Sequence, residues 1–480
     1  MRKYSTILLL LFVLPLCTMA QGGVSTSLFT GRMSYTIPIY TIEDPDFKVD
    51  LALSYSSDGF KPFQPSGCYG QDWSLIAGGC VTRSIQGLPD DLNYYGQITK
   101  YYYRHNTDDI VGVRGYITGW EKGFARALMK MDESGSILDK EKVYNMDRSV
   151  YSDSCGILYK DGVWIDYMPD IFYFNFCGHS GRFMINNSGK VVILNGDFVE
   201  VDISKIGTDR ETYYDEFSWN VSRTKPAGFF GSEKSKIVIK TMDGYTYVFG
   251  GSPESLEYSI EARRDSVKKE SFSIIDAWHI TKITAPNGRT LEFYYKSADE
   301  VGNSHYNDNR IPRSLHSLVT DLDWANSEKL THLIFRLQKT CLLSSIKNSD
   351  SVKLEISFYS SPEEYKMYNH PDYKCCTAHQ KLDSIIVQGG ERVLRKVKLS
   401  YEYRVNGQDT QYNSYWRFLK DVAVSGAGKY TMSYLQTPTN INMYPSNDAE
   451  YKKNVDRYGF WKESSLAGML SRVDLPTGGF

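Results

Sequence analysis

Apolar and polar residues alternate along short runs of this chain, and turn residues separate the runs. Alternation with a period of two is typical of strands that bury one face. In the clearest example, Ile280 and Ile283 precede the turn residues Asn287 and Gly288, and a second alternating run follows at 291–295. Because asparagine and glycine both tolerate a positive φ, we predict a β-hairpin closed by a tight primed turn.

The same unit recurs in degenerate form along the second half of the chain. Each copy begins with two apolar residues three positions apart and continues, after a turn, into an alternating strand. The later copies lie at 343–346 with 354–358, 382–385 with 397–403, 419–422 with 430–434, and 470–473. Arrays of this kind bury the apolar face of each unit against its neighbours, so we interpret the region as a hairpin array with insertions in its loops.

Two hairpins are also predicted earlier in the chain. The first has Asp243 and Gly244 as its turn, a dipeptide that suits positive φ. Its strands are expected at 236–240 and 245–249. The strands of the second are expected at 171–176 and 182–185, with the turn at 178–181 and a further strand at 191–194.

Helical spacing is scarce in the sequence. Trp120, Phe124, Leu128 and Met131 follow it, which predicts one short helix packed on a sheet. The chain has 37 Tyr, 22 Phe and 38 Gly, and this composition favours many strands and many turns. We therefore predict a mainly β fold, with an antiparallel β-hairpin array that forms a curved, extended or shell-like sheet and with one or two short helices.

The first residues are typical of an export signal. Arg2 and Lys3 precede an apolar stretch at 7–16 that is too short to span a bilayer, and small residues follow at 18–20. We predict cleavage before Gln21. A lipoprotein signal at Cys17 is the alternative, but Leu16 stands where lipid attachment needs a small residue. The mature chain is expected to be secreted or on the cell surface, with the periplasm as a further option.

We divide the chain into a signal peptide at 1–20, an opening β segment at 21–110, a β-rich segment with a short helix at 111–250, and the hairpin array at 271–480, incomplete at its C-terminus. The sequence holds 55 Lys and Arg against 57 Asp and Glu, a net charge of −2. Without a global positive field, binding to nucleic acid is not expected. After residue 20, no stretch has the length and apolarity of a membrane-spanning helix.

Seven cysteines remain after the predicted cleavage. Export permits disulfides, and Cys68 and Cys80 are close enough in sequence to close a short loop. The odd count shows no closed framework, so buried thiols are the favoured interpretation. The set is Cys68, Cys80, Cys155, Cys177, Cys341, Cys375 and Cys376.

The sequence holds few candidates for chemistry. His370, Cys375, Cys376 and His379 combine imidazole and thiol ligands, but adjacent cysteines reach one tetrahedral zinc poorly, so we interpret the segment as a loop. The run 178–181 lacks the spacing of a nucleophile elbow. The run 425–429 lacks that of a phosphate loop. We therefore predict no catalytic, cofactor or metal site, and no enzyme activity.

Three further residues have a structural and a functional interpretation. Trp73 lies between turn residues and an apolar run, which favours a core anchor over a ligand platform. Asp90 and Asp91 follow Pro89 and could form a metal or acid/base pair, but adjacent side chains of an extended chain point in opposite directions. A turn role is favoured.

Six runs of the segment 31–91 form a recognisable set, at 31–39, 51–57, 70–75, 78–79, 81–83 and 87–91. Together they resemble the amino-terminal signature of RHS/YD-repeat proteins, which is also similar to the opening of SpvB-like proteins and insecticidal-toxin B components. Within these runs we single out Tyr35, Pro38, Tyr55, Trp73, Gly79, Arg83, Pro89 and Asp90.

The resemblance implies a non-catalytic structural shell whose hairpins wind around a carboxy-terminal segment, often a toxin. The partner would be the protein's own carboxy-terminal region or another effector. No strict consensus YD repeat occurs, and the run 476–480 stops where a return strand is expected. We therefore expect a truncated product or a fragment that lacks its effector.

A second hypothesis is a surface adhesin or carbohydrate-binding module, because the many Tyr and Trp side chains could stack on sugar faces. It predicts exposed coplanar aromatic residues in a groove and binding to surface glycans. A third, a secreted hydrolase, would need a cleft lined by two carboxylates with divergent pKa values.

Overall fold

The structure is a computed structural model of the 480-residue chain. It describes residues 24–26, 32–57, 59–62, 66–86, 90, 93–97, 110–114, 151–152, 157–160, 163–166, 168–186, 189–206, 234–263, 273–297, 314–321, 332–349, 353–362, 380–406, 414–438, 456, 460–464 and 466–479.

The strands in the first half of the described chain are β1 Val24–Thr26, β2 Met33–Glu43, β3 Lys48–Ser57, β4 Trp73–Ala77, β5 Gly79–Ser84, β6 Asn93–Gln97, β7 Ile110–Arg114, β8 Tyr151–Ser152, β9 Ile157–Lys160, β10 Val163–Asp166, β11 Ile171–Phe176, β12 His179–Ile185, β13 Val191–Gly196, β14 Val199–Lys205, β15 Lys236–Thr241 and β16 Thr246–Gly250. Those in the second half are β17 Leu256–Arg263, β18 Ser273–Thr284, β19 Thr290–Ser297, β20 Ser314–Asp321, β21 His332–Lys339, β22 Cys341–Asn348, β23 Leu354–Pro362, β24 Gln380–Gly389, β25 Arg392–Asn406, β26 Ser414–Val424, β27 Gly428–Tyr434 and β28 Leu470–Asp474.

The predicted mainly β, antiparallel fold is confirmed. Among the described residues, only β7 and β10 pair in parallel, and the only helix is a single 3₁₀ turn, Pro253–Ser255. The helix predicted around Trp120 to Met131 lies outside the described residues. No helix of the described residues is both long and apolar enough to cross a bilayer.

The strands β1 to β4 form one sheet in chain order. In β2, Tyr35, Ile37 and Ile39 are buried, and the next buried residue is Ile42, so the alternation slips by one position. The register with β3 shifts at the same place, between Pro38 and Tyr40. A bulge of one residue therefore keeps the apolar face of the strand turned toward the core along its full length.

β18 connects two larger groups of strands. Its first half pairs with β17 and β5, which belong to the sheet that also contains β11, β12, β20 and β21 and that we call the second sheet, β1 to β4 being the first. Its second half pairs with β16 and β19. From β19 the array continues through β22, β23, β24, β25, β26 and β27 to β28, each antiparallel to the next.

The two faces of the array differ in chemistry. On the inner face, Phe293, Ile346, Ile356 and Val387 lie side by side across four strands, and all are buried. On the outer face, the neighbouring row reads Lys282, Glu292, Lys347 and Glu355, with ion pairs of 3.1 Å between the first two and between the last two. Opposite charges on adjacent strands favour this register over one slipped by a residue.

The recurring pair of apolar residues three positions apart corresponds to a β-bulge. The register shifts inside all five copies, for example between the residues that pair with Leu419 and Asp421. The extra residue of a bulge brings side chains three positions apart onto the same face. As a result Leu419 and Val422 are both fully buried.

In three copies a tyrosine hydroxyl donates to the carbonyl at the start of the bulge, an arrangement we call the tyrosine–bulge clamp. The clamps join Tyr295 to Ile280 O at 2.8 Å, Tyr401 to Leu382 O at 2.7 Å and Tyr434 to Leu419 O at 2.7 Å. A bulge disrupts the ladder locally, so the hydroxyl supplies a partner at the point where strand pairing is irregular. Burial raises the pKa of these tyrosines, which keeps the hydroxyls as donors.

The predicted hairpin at Asn287 and Gly288 is present, but the predicted primed turn is wrong. Gly288 N donates to Ala285 O, Ala285 N donates to Arg289 O, and only Gly288 of the turn pair has a positive φ, at 87°. This is a three-residue loop of the type I plus glycine-bulge kind. The ring of Pro286 holds φ near −65°, which suits the first central position of such a turn.

The Asp243 and Gly244 turn has the same geometry, and of the two residues expected to suit a positive φ only the glycine adopts one. Gly244 N donates to Thr241 O, Thr241 N donates to Tyr245 O, and the positive φ belongs to Gly244 alone. A primed turn does occur elsewhere, where Cys177 and Gly178 both have positive φ. The loop predicted at 178–181 is thus shorter than expected, because β12 already begins at His179.

Candidate functional site

The signature residues lie at two kinds of contact: Tyr55 and Trp73 lie where the first sheet packs on the hairpin array, and Arg83 and Asp90 lie beside β5, β11 and β18. We call this set of contacts the docking seam; it comprises Tyr55, Trp73, Arg83 and Asp90 on one side and Asp170, Ile275, Leu419, Tyr434 and Leu470 on the other. Tyr35 is also buried in the core, and Pro38 lies at the bulge of β2. Pro89 lies outside the described residues.

Trp73 anchors the β27 end of the docking seam. Its Nε1 donates to the hydroxyl of Tyr434 at 2.8 Å, and that hydroxyl is the donor of the clamp on Leu419. The Tyr55 ring lies 5.5 Å from the Trp73 ring, and the Tyr55 hydroxyl accepts from Leu470 N at 2.9 Å. Buried aromatic rings with paired polar tips join the first sheet to two strands of the array.

A buried arginine fixes the loop before β4. Arg417 is fully buried, and its guanidinium donates to Gly67 O at 2.6 Å and to Gln380 O at 3.1 Å. Gln71 N donates to Arg417 O at 2.7 Å. At Gly70 a Cβ atom would lie 2.7 Å from the backbone nitrogen of Leu419, so the close approach requires glycine.

Gly79 allows the chain to pass from the first sheet into the second. Its φ is 122°, and a Cβ atom there would lie 2.2 Å from Asn175 O and 2.5 Å from Phe176 Cα. No other residue fits that space without moving the backbone of β11. The signature glycine therefore sets the distance between β5 and β11.

Arg83 and Asp90 lie at the other end of the docking seam, together with Asp170. Asp90 N donates to the Asp170 carboxylate and Asp170 N donates to the Asp90 carboxylate, both at 3.0 Å. Arg83 lies 3.7 Å from Asp170, donates to Ile275 O at 2.9 Å and covers the Trp278 ring at 5.2 Å. Both aspartates are fully buried, so the charge of Arg83 and the two backbone donors stabilise carboxylates withdrawn from water.

The predicted hairpin turns also contact the first sheet. Asn287 Nδ2 donates to Asp46 at 3.0 Å, Arg289 pairs with Asp44 and Asp46, and the Tyr245 hydroxyl donates to Asp46 O at 2.6 Å. Hydrogen bonds from Asn287 and then Arg289 lower the pKa of Asp46. Acidic and basic loop tips thus hold the first sheet against the array.

A group of possible metal ligands lies where β17, β18 and β22 meet. His279 Nε2 and Glu257 Oε1 are 3.0 Å apart, and all the ligand atoms of Glu257, His279 and Cys341 lie within 4.8 Å of one another. The His279 ring lies 5.4 Å from the ring of Tyr295. Cys80 is directly opposite His279 on β5.

Sequence reasoning did not find this group, because its members are far apart along the chain and come together only through strand pairing. The cluster that it did consider, at His370 to His379, lies outside the described residues. Among the described cysteines, Cys68, Cys80, Cys177 and Cys341 are all outside disulfides. Burial raises the pKa of Cys80 and of Cys177 to about 12, so these thiols stay neutral and unreactive.

Comparisons with known proteins give structural likenesses at low sequence identity. The N-terminal domain of effector protein SpvB from Salmonella typhimurium strain LT2 is 11% identical with a TM-score of 0.31, over 81% of this chain and 97% of that one. The crystal structure of TcdB2-TccC3-TEV is 8% identical with a TM-score of 0.33, over 88% of this chain and 17% of that one.

The Photorhabdus luminescens Tc holotoxin pore with the mutation TccC3-D651A is 10% identical with a TM-score of 0.34. That alignment covers 87% of this chain and 16% of that one. No protein-family model matches the sequence, and no curated protein matches it either.

Proposed function

We propose that this chain is a non-catalytic structural part of an exported RHS/YD-repeat-type shell, which encloses or presents an effector polypeptide. The observation that carries the proposal is the run of antiparallel strands paired in chain order from β22 to β28, with bulges at matching positions. Each unit buries its apolar row against its neighbours, which is how a repeated wall gains stability as it lengthens.

The use of polar groups in the docking seam also supports an architectural role. Arg83, Asp90 and Asp170 bind each other's backbone and side chains, and Trp73 and Tyr434 are joined by a hydrogen bond between their side chains. An active site needs groups directed at a substrate position. These groups are directed at other groups of the protein, among them the strand carbonyls of Ile275 and Leu419.

The proposal is tested by asking whether the chain shields a bound polypeptide. An affinity tag is inserted at the exposed Glu391, in the turn between β24 and β25, and the protein is purified from its native host. Any associated polypeptide is identified by mass spectrometry and challenged with trypsin. We expect protection that is lost in Trp278→Ala, which removes a fully buried ring, and kept in Phe198→Ala, where the ring is 82% exposed.

A chain that purifies without any polypeptide, or one whose associated polypeptide is digested equally fast in the intact protein and in Trp278→Ala, would contradict the shell. The same preparation is applied to a glycan array. Binding there, without a shielded polypeptide, would favour the adhesin hypothesis.

A further inference from the structure

The group formed by Glu257, His279 and Cys341 combines three kinds of metal ligand on three different strands. Thiolate, imidazole and carboxylate are the ligands found in protein zinc sites. Calcium and magnesium prefer oxygen ligands alone. We propose that these three side chains form a zinc site that joins β17, β18 and β22; the proposal does not depend on the shell function.

The distances are compatible with one tetrahedral ion. A zinc about 2.0 Å from a carboxylate oxygen and an imidazole nitrogen holds those atoms ~3.3 Å apart. The Glu257 and His279 atoms are 3.0 Å apart. A sulfur at ~2.3 Å from the ion would lie ~3.6 Å from each of them. Since the atoms of the three residues already lie within 4.8 Å, closing the largest gap to the Cys341 sulfur needs a shift of about 1.2 Å at most.

Charge and access also suit the ion. Thiolate and carboxylate together carry two negative charges, which a divalent cation neutralises, so a largely buried site need not hold net charge. The Cys341 residue is 8% exposed, whereas the side chains of His279 and Glu257 are 23% and 21% exposed. The ion can therefore enter from solvent past the His279 imidazole and the Glu257 carboxylate and then reach the buried Cys341 thiolate.

The position of the site explains what the ion would do. β22 belongs to the hairpin array, β17 belongs to the second sheet, and β18 takes part in both. The register shifts beside Glu257, between it and Tyr258. A metal at this point would tie the two sheets together where their ladders are irregular, and its binding energy would add to the stability of the fold.

The first measurement uses the full mature chain purified without chelators. After dialysis we expect about one zinc per chain by elemental analysis. Cobalt substitution is expected to give a thiolate-to-cobalt charge-transfer band together with the intense visible bands of a tetrahedral site. A wild-type protein that retains no zinc and shows no charge-transfer band overturns the proposal without any variant.

Variants then locate the site. Cys341→Ser should abolish the charge-transfer band, and both it and His279→Gln should weaken zinc binding by at least about tenfold, measured by competition with a chromogenic chelator. The matched control is His179→Gln, because His179 pairs with Asp197 at 3.2 Å and belongs to no such group among the described residues. Its zinc affinity should equal that of the wild type.

A second control addresses the histidines and cysteines at 370–379, a run whose sequence favours a loop over a metal site. Replacing Cys375 and Cys376 by Ser should leave the zinc content and the cobalt spectrum unchanged. If that double variant loses the metal, or if Cys341→Ser keeps the charge-transfer band, the site lies elsewhere and the proposal is wrong. Near-ultraviolet circular dichroism of each variant without metal shows whether a loss of binding reflects the ligand or the fold.

Discussion

Tyr434 is the point of the docking seam at which one atom serves two buried partners. Its hydroxyl accepts from Trp73 Nε1 and donates to Leu419 O. Tyr434→Phe keeps the ring and leaves both groups without this partner. A buried polar group that loses its partner costs about 1–3 kcal/mol, so we expect the free energy of unfolding to fall by ~2–4 kcal/mol.

The same structure supplies graded controls. The Tyr401 hydroxyl makes one short bond, to Leu382 O, and a longer one of 3.3 Å to Cys68 O, which also accepts from Leu382 N, so Tyr401→Phe should cost ~1–2 kcal/mol. Tyr430 lies four residues before Tyr434 on β27 and is buried, but none of its described hydrogen bonds crosses the docking seam. Tyr430→Phe should stay within about 0.5 kcal/mol of the wild type.

The assay is urea unfolding followed by far-ultraviolet circular dichroism, with Trp73→Phe, Tyr434→Phe and the double variant forming a cycle. We expect a coupling energy of about 1 kcal/mol between Trp73 and Tyr434. The cycle of Trp73→Phe with Tyr430→Phe should be additive. Trp73 contacts Tyr434, and Tyr430 lies ~13 Å from Tyr434 along the strand. Additivity in the first cycle, or a Tyr434→Phe variant as stable as Tyr430→Phe, would refute the reasoning.

Three further predictions concern other contacts. Asp170→Ala should lower the free energy of unfolding by about 3–5 kcal/mol, because it removes the carboxylate beside the buried Arg83 and takes away the acceptor of Asp90 N and Gln86 N; an unchanged urea midpoint would contradict this. Gly79→Ala should cost more than ~3 kcal/mol, whereas Gly288→Ala, with no atom within 4 Å of the added Cβ, should cost about 1 kcal/mol by thermal unfolding. Since the pKa of Asp46 is lowered in the folded protein, its contribution is present above the usual value of 3.8 and is lost as the pH falls below it, so Asp46→Asn should flatten the fall in melting temperature on acidification.

The hairpins could be predicted from sequence because each depends on neighbouring residues. Alternation and a turn dipeptide located the strands around Gly244 and Gly288 within a few positions. The predicted primed turn is wrong at Asn287–Gly288 because the turn type depends on the residue before the dipeptide as well as on the dipeptide itself. In the Gly288 turn that residue is Pro286, whose fixed negative φ makes a type I turn the better solution.

The sequence shows each bulge as two apolar residues three positions apart, but it does not show that this spacing comes from a bulge. Leu419 and Val422 are three positions apart, a separation that suits a helix as well as a bulged strand. Only the pairing with β25 shows that Lys420 is the extra residue. The clamp from Tyr434 depends on that bulge and was therefore equally hidden.

Asp170 and the zinc ligands could not be found from sequence, because their partners are set by register. Asp90 was identified, yet Asp170 is 80 residues away and reaches it only because β11 pairs with β5. His279 likewise faces Cys80 only because β18 pairs with β5 in this register. A shift of either strand by one residue would turn these side chains to the opposite face.

Two polar groups of the interior share one physical role. Strand pairing satisfies the backbone wherever the ladder is regular, and these groups lie where it is not: the Tyr434 hydroxyl at the bulge of Leu419, and the half-buried His279 on the strand shared by two sheets. A zinc ion at His279 would be one more such contact, stronger than a hydrogen bond and removable by a chelator. A chelator can therefore test the zinc site separately from the shell. Losing the metal should loosen the junction of the two sheets, while the clamps at Tyr401 and Tyr434 continue to hold the hairpin array.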